Sequence, residues 1–443
     1  MSDHLTIIGA GLAGSEAAWQ AAERGIPVVL YEMRPGTPTP VHKTGYCAEL
    51  VCSNSLGSNQ AYSAPNLLKE ELRCFDSLVI GAADRHQVPA GAALAVDRER
   101  FSRDITERLS AHPRIVLKQE EKIEIPSEGP VIIATGPLTS PRLAESISRL
   151  IGQDYLYFYD ALSPIIDANT IDYSKTFFAS RYNKGTADYL NCFMDKDQYR
   201  CFVRELLDAE KVPFKNFEKP KYFEGCMPIE ELARRGEQTL AFGPLKPVGL
   251  PHPETGEIAH AVVQLRSENK ERTAFNMVGF QTKMTYPEQK RIVSMIPGLE
   301  NAELFRYGAI HRNTFINAPS LLTMELDMKS NPGIYFAGQI VGVEGYVESV
   351  ATGLLTGLSA VNRLKGKKFT APPPDTAMGS LLSYVSAGRK GDYQPMNINF
   401  GLFAVNEMRI KNKRVRNQKI FENALKSIVR WMENLNRPVG SAA

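Results

Sequence analysis

Three glycines at fixed spacing and two cysteines in polar surroundings are the residues of this chain best suited to chemistry. Gly9, Gly11 and Gly14, in Thr6-Ile7-Ile8-Gly9-Ala10-Gly11-Leu12-Ala13-Gly14, fit the pattern GxGxxG. Glycines so spaced permit a tight turn, close approach of the backbone to a pyrophosphate, and close helix–strand packing, with the phosphates on the positive end of the helix. The context is complete. An apolar strand from Leu5 to Ile8 precedes the turn, and residues 15–24 form a helix that Gly25 stops. A second strand from Ile26 to Tyr31 ends at Glu32, placed to accept hydrogen bonds from ribose hydroxyls. Gly9, Ala10, Gly11, Gly14 and Glu32 are therefore expected at a dinucleotide.

NAD and FAD share this fingerprint, and later elements favour FAD as the bound cofactor. Ala134-Thr135-Gly136 ends a buried-strand run, which brings Thr135 and Gly136 beside the nucleotide. A late strand from Ile334 to Ala337 ends at Gly338, and a glycine-spaced turn then leads into a helix from Val347. The N-terminus of that helix, brought to the flavin ring, would stabilise negative charge on the reduced flavin. Tyr346 could stack on the ring, or be an ordinary buried tyrosine. NADH or NADPH is then expected as a transient reductant.

The six cysteines, Cys47, Cys52, Cys74, Cys192, Cys201 and Cys226, include no CxxC pair or other metal-ligand spacing, so no metal is expected. Each is either a small core residue or a reactive thiol. Cys52 stands among polar residues in Glu49-Leu50-Val51-Cys52-Ser53-Asn54-Ser55. Cys226 stands between Gly225 and Pro228, with Glu224 and Glu230 near. Those acids would raise a thiol pKa, so activation has to come from elsewhere. Cys47, Cys74, Cys192 and Cys201 read as packing residues.

Several cations are candidates for anionic partners. Lys246 sits in the rigid frame Gly243-Pro244-Leu245-Lys246-Pro247, which suits either a fixed cationic contact or a surface turn. Arg306, His311 and Arg312 form a compact basic cluster, suited to a glutamyl tail or RNA phosphate. Between Met408 and Arg430, eight basic residues, Lys413, Arg414 and Arg416 among them, face the single acid Glu422. Such an arm is either a solvated helix face or a phosphate-binding surface.

Length and composition bound the architecture that carries these residues. A chain of 443 residues with 43% hydrophobic and 23% charged content has the make-up of a soluble protein of two or three domains. No apolar run approaches the roughly 20 residues of a membrane helix. The start Met1-Ser2-Asp3-His4 carries no signal peptide, so a cytoplasmic location is expected. A net charge of +3 announces no nucleic-acid partner by itself. The fold class expected is α/β, a Rossmann-like FAD-binding domain with an inserted α+β domain. Residues 1–165 form its first part, 166–299 the insertion, and 300–443 the second part with the basic helical arm. Residues 33–66 read as a long irregular connection, which in a compact domain is usually functional or mobile.

Taken together, GAGLAGSEAAW, YEMRP, CSNSL, ATGPLTS, FEGCMPIEELARRG, FGPLKPVGL, VVQLR, VGFQTKMTYPEQKR, FRYGAIHRNTFINAP and YFAGQIVGVEGYVES resemble one family. It is that of the bacterial folate- and FAD-dependent tRNA uracil-5-methyltransferases. The resemblance runs in order from Gly9 to Gly353. It implies methylation at C5 of the T-loop uridine (position 54) of tRNA, with 5,10-methylenetetrahydrofolate as one-carbon donor and NADH or NADPH reducing the flavin. It implies Cys226 as the nucleophile that adds to uracil C6, and Cys52 as a second functional cysteine that assists proton removal or guards the adduct. The target base would have to be unstacked into the pocket. Two other readings carry different expectations: the same chemistry on a ribosomal RNA uridine, and a small-molecule flavin oxidoreductase with a redox-active cysteine.

Overall fold

The computed structural model describes residues 4–39, 41–127, 129–152, 156–183, 186–213, 227–387, 393–404 and 410–436. Five short strands lie parallel in the order Ile334–Phe336, Val131–Ile133, Leu5–Ile8, Val28–Tyr31, Ile115–Lys118. Leu5 pairs with Val28, and Thr6 with both Val29 and Val131. The central strand Leu5–Ile8 is buried along its whole length, as a parallel strand covered on both faces must be. Because the strands are parallel, their carboxyl ends share one edge. Gly9, Glu32, Ala134 and Ala337 follow them there, where ligands of open α/β sheets bind. The expected α/β architecture is the one observed.

Small residues set the spacing of the layers. The helix Leu12–Glu23 buries Ala13, Ala17, Ala18, Ala21 and Ala22. The helix Tyr346–Leu364 lies against it almost backbone to backbone. A β-carbon at Gly353 would stand 2.2 Å from the Ala13 carbonyl oxygen, and one at Gly357 3.0 Å from that of Ala17. This contact seats the amino ends of both helices at the same edge of the sheet.

A second sheet is antiparallel throughout. Its order is Thr176–Ala179, Tyr189–Met194, Ala261–Ser267, Ala274–Met277, Ile165–Asp167, Leu304–Arg306. The helices Lys196–Asp208 and Tyr286–Val293 contribute Tyr199, Phe202 and Ile292 to its core, which is separate from the core of the parallel sheet. The chain passes between the sheets along the antiparallel pair Leu156–Ala161 and Ile310–Phe315. The edge strand Thr176–Ala179 is ended by a turn at Arg181–Asn183, where Tyr182 takes a φ of 58°. The irregular stretch 33–66 contains one short strand, Ser55–Ser58, paired with Ala93–Val96.

The C-terminal basic stretch is a packed helix. Lys413–Asn436 buries Ile420, Phe421, Ala424, Ile428 and Trp431. Phe421 meets Tyr62 edge-on, and Trp431 meets Phe75 and donates to the Thr370 carbonyl. Among the described residues, no helix is long and apolar enough to cross a membrane.

Substituting Gly353→Ala should push the two long helices apart and destabilise the protein by about 1–3 kcal/mol, the usual cost of overpacking. Urea unfolding checks this, and an unchanged midpoint would contradict the close approach.

Candidate active site

The first cleft opens at the carboxyl edge of the parallel sheet. Its glycines are there because side chains do not fit. A β-carbon at Gly14 would stand 1.8 Å from the Gly9 carbonyl oxygen, and one at Gly9 2.6 Å from that of Ala134. Gly11 differs: nothing lies within 4 Å of its absent β-carbon. It caps the helix Leu12–Glu23 without a side-chain hydrogen bond. The first N–H groups of that helix thus face open space in a wall formed by Gly9, Gly11, Leu12 and Ala13. That arrangement is a cradle for a pyrophosphate. Thr135, Gly136, Gly338 and Tyr346 line the same cleft, which encloses about 1010 Å³ with its open mouth.

Glu32 is 5% exposed and held on three sides. One carboxylate oxygen accepts from the Ala10 N–H at 3.2 Å, the other from the Arg34 Nε at 2.8 Å and the Arg34 N–H at 3.1 Å. Oε2, which accepts from Ala10 alone, keeps acceptor capacity for a ribose hydroxyl. Arg34 also bonds Glu49 at 3.0 Å and the Thr44 and Tyr46 carbonyls. Glu49 in turn accepts from the N–H groups of Lys43 and Thr44. His42 lines this cleft too. Burial, with the Arg34 cation second, outweighs Glu49 and Glu32 and brings its imidazole down to about 4. The acceptor geometry of Glu32 thus depends on Arg34, Glu49 and a neutral His42, residues that sequence reasoning missed. Arg34 stands in the YEMRP stretch beside Glu32, and that adjacency was the one available signal.

A second cleft, about 1520 Å³ with its mouth, contains Cys52. It shares Val51, Pro137, Leu138, Gln339, Tyr346 and Ser349 with the first, so the two adjoin at a common wall. The Tyr346 hydroxyl accepts from the Cys52 N–H at 2.8 Å. Burial, and then the neighbouring Cys52, raise the pKa of that hydroxyl well above the usual phenol value. The phenol is therefore a neutral partner at pH 7.

Guanidinium groups hold the Cys52 segment from beneath. Arg98 donates to the Leu50 and Cys52 carbonyls and pairs with Glu268 of the antiparallel sheet. Arg306 donates to the carbonyls of Val51 at 3.0 Å, Cys52 at 2.8 Å and Ser163 at 3.3 Å. Arg266 donates through Nε to Asn54 at 3.0 Å. Burial alone would raise the Glu268 carboxyl, but Arg98, Arg266 and Arg306 together hold it below its usual value. Burial and then the Arg98 cation bring Arg306 down to about 10, still protonated at pH 7.

The remaining expected residues are scattered. Cys226, with the rest of 214–226, lies outside the described residues. Arg306, expected at an anionic tail or phosphate, has both terminal nitrogens on main-chain carbonyls and its Nε buried without a partner. It positions the Cys52 segment. His311 and Arg312 sit on the connecting strand, in register with Asp160 and Tyr159. Lys246 is exposed in its turn. Lys413 and Arg414 are exposed and Arg416 half-buried at the start of the last helix. No group of three potential metal ligands occurs among the described residues.

Comparison with known proteins decides the family. A family model described as Glucose inhibited division protein A matches residues 4–368. The Methylenetetrahydrofolate--tRNA-(uracil-5-)-methyltransferase TrmFO of Heliobacterium modesticaldum is 56% identical over 432 residues, covering 97% of this chain and 98% of its own. That of Natranaerobius thermophilus is 55% identical over 429 residues, covering 97% and 99%. That of Listeria monocytogenes is 53% identical over 435 residues, covering 98% and 100%. The chain belongs to the TrmFO family. In overall fold it is similar to the GidA protein of Aquifex aeolicus, with a TM-score of 0.71 at 18% identity, covering 98% of this chain and 73% of that one. At that identity the likeness speaks for the fold alone.

His42 yields a pH dependence with a definite sign. Its folded value of about 4 lies below its ordinary 6.5, so the unfolded chain binds the extra proton first. Its contribution to stability is complete above pH 6.5 and is lost as pH falls towards 4. Urea unfolding between pH 4 and 8 should show wild type losing stability over that window, and His42→Gln losing less. Parallel profiles would refute the assignment.

Proposed function

We propose that this chain methylates C5 of the T-loop uridine (position 54) of tRNA. The one-carbon unit comes from 5,10-methylenetetrahydrofolate, and NADH or NADPH supplies the reducing equivalents through bound FAD. The observation that carries the reading is the wall shared by the two clefts, with Tyr346 in it, which sets a dinucleotide cradle beside a cleft holding a cysteine. The family relatives at 53–56% identity support the substrates.

The cradle fits FAD by the chemistry of its donors and acceptors. The free N–H groups behind Gly11 would take the pyrophosphate, and Glu32, held by Ala10 and Arg34, a ribose. Thr135, Gly136, Gly338 and Tyr346 would line the remainder. When bound and reduced, FAD supplies the hydride that turns a transferred methylene into a methyl group.

The residues of the chain do the rest. Uracil C5 is a poor nucleophile until a thiolate adds at C6, and Cys226 is proposed for that addition. The S–C6 bond forms as the C5=C6 electron pair moves into the ring carbonyl. C5 then attacks the folate-borne methylene, and a base takes the C5 proton as the methylene–nitrogen bond breaks and tetrahydrofolate leaves. Once hydride has arrived at the exocyclic methylene, C5=C6 is restored and the thiolate leaves as the C–S bond breaks. Cys52, its N–H on Tyr346 and its carbonyl on two guanidiniums, is proposed to assist proton removal or to guard the adduct. The exposed bases at the start of the last helix, Lys413 and Arg414, are proposed to meet RNA phosphate, with Arg416 beside them. Lys246, His311 and Arg312 are proposed as further RNA or folate contacts.

Purified protein should be yellow. It should move label from methylenetetrahydrofolate into T-loop uridine of transcribed tRNA only when a reductant is present, with ribosomal RNA fragments run in parallel. Label arriving from S-adenosylmethionine, or none from folate, would sink the proposal. Separately, Cys226→Ala should abolish the covalent RNA adduct while keeping the flavin absorbance, and an adduct that survives removes Cys226 from its role.

A further inference from the structure

Of the three guanidiniums beneath Cys52, two are consumed. Arg98 is spent on Glu268 and two carbonyls, and Arg306 on three carbonyls. Arg266 is not. It is 7% exposed and lines the cleft that contains Cys52. Among the described residues no carboxylate lies within ion-pair distance of it. Its Nε goes to the Asn54 oxygen at 3.0 Å, and the Asn54 amide nitrogen is tied to the Val96 and Ser267 carbonyls, both at 3.0 Å. The fork is thus aimed by a side chain that is itself fixed. Guanidinium carries five N–H donors, so the terminal nitrogens retain capacity for a further acceptor.

We propose that Arg266 is a catalytic residue whose guanidinium takes the negative charge that develops on the uracil C4 oxygen when a thiolate adds at C6. The inference rests on the methyl transfer proposed above. Addition forms S–C6 and shifts the C5=C6 pair to leave an enolate at C4–O4, and the same pair returns when C5 bonds to the folate methylene. The charge on O4 is transient, so a cation fixed beforehand stabilises the transition state more than the ground state. Two placements favour uracil over the other anions at hand, a folate carboxylate or a phosphate. Asn54, which aims the fork, is two residues from Cys52. Gln281, on the same cleft wall, accepts the Ile229 N–H at 2.7 Å, and Ile229 is three residues beyond Cys226. Asn54 of the Cys52 segment and Ile229, in the described chain beyond Cys226, are thereby both bonded to the wall that Arg266 occupies.

The test compares wild type, Arg266→Gln, Arg266→Lys and Asn54→Ala as flavin-loaded full chains. Two rates are read: folate-labelled methyl transfer to tRNA, and covalent trapping by tRNA substituted with 5-fluorouridine. Arg266→Gln should lower kcat and the trapping rate about 10²- to 10³-fold, as loss of an oxyanion donor does, with KM for tRNA and folate little changed. Arg266→Lys should recover part of that loss, and Asn54→Ala should lower kcat about 10-fold with flavin absorbance kept. If Arg266→Gln does not fold, the lysine and Asn54 variants decide. An unchanged kcat, or a raised KM with kcat kept, overturns the proposal, the latter by making Arg266 a ground-state anion contact. Wild type that fails to label tRNA from folate would defeat the proposed function itself, which keeps the two failures apart.

Discussion

Arg98 opens the helix Arg98–Ala111, which packs into the core of the parallel sheet, and Glu268 directly follows the strand Ala261–Ser267 of the antiparallel sheet; they meet largely out of water, with side-chain exposures of 17% and 8%. The two sheets have separate apolar cores, so their junction at the site is made by buried polar groups instead. Taking these charges out of water is expensive, and the arrangement holds only while each is paired and hydrogen-bonded. Removing one partner of such a pair costs about 3–5 kcal/mol, because the other is left buried and uncompensated. The junction is therefore held in one register: a small slip breaks several charge-assisted bonds at once. The carbonyls of Leu50, Val51 and Cys52 are acceptors in that network, so the position of Cys52 follows from how the two sheets are docked.

The dinucleotide cleft obeys the same rule with the opposite charge excess. Glu32 and Glu49 flank one guanidinium, Arg34, and the main-chain N–H groups of Ala10, Lys43 and Thr44 provide the remaining donors. A protonated His42 would add a second cation beside Arg34, and burial forbids it. Glu32 is therefore oriented where a hydroxyl donor of a ribose would arrive, while the phosphates are left to the helix N–H groups across the cleft. Acceptors and donors are thus separated along the cleft in the order a dinucleotide needs.

What could be read in the sequence was what short-range chemistry controls. The glycine turn, the strands at Leu5, Val131 and Ile334 and the acceptor Glu32 each declare themselves within a few residues, because turn geometry and strand burial are local requirements. The partners of those elements are not local. Arg98 reaches Glu268 across 170 positions and Asn54 reaches Arg266 across 212, so no spacing announces either contact. Arg306 illustrates the difference. Its basic neighbourhood suggested an anionic ligand, but three carbonyls converge on it from two distant segments and no periodicity encodes that. Cys226 and its activator lie beyond what the described residues address.

The last helix acquires meaning from what it touches. Its apolar face lies on the helix Ala64–Cys74 and the loops flanking it, through Phe421 on Tyr62 and Trp431 on Phe75. On that same helix the buried Lys69 ammonium donates to the Leu56 and Ser58 carbonyls, in the strand that follows Cys52. Burial lowers Lys69 to about 8, so it remains mostly charged at neutral pH and keeps both bonds. One packed layer thus separates a basic outer surface from the segment that carries a proposed catalytic cysteine. Close-packed interiors transmit displacement instead of absorbing it. An RNA held on the outer bases would bear on a layer already locked to the Cys52 segment, so the cleft and the surface proposed to meet RNA are parts of one packed arrangement.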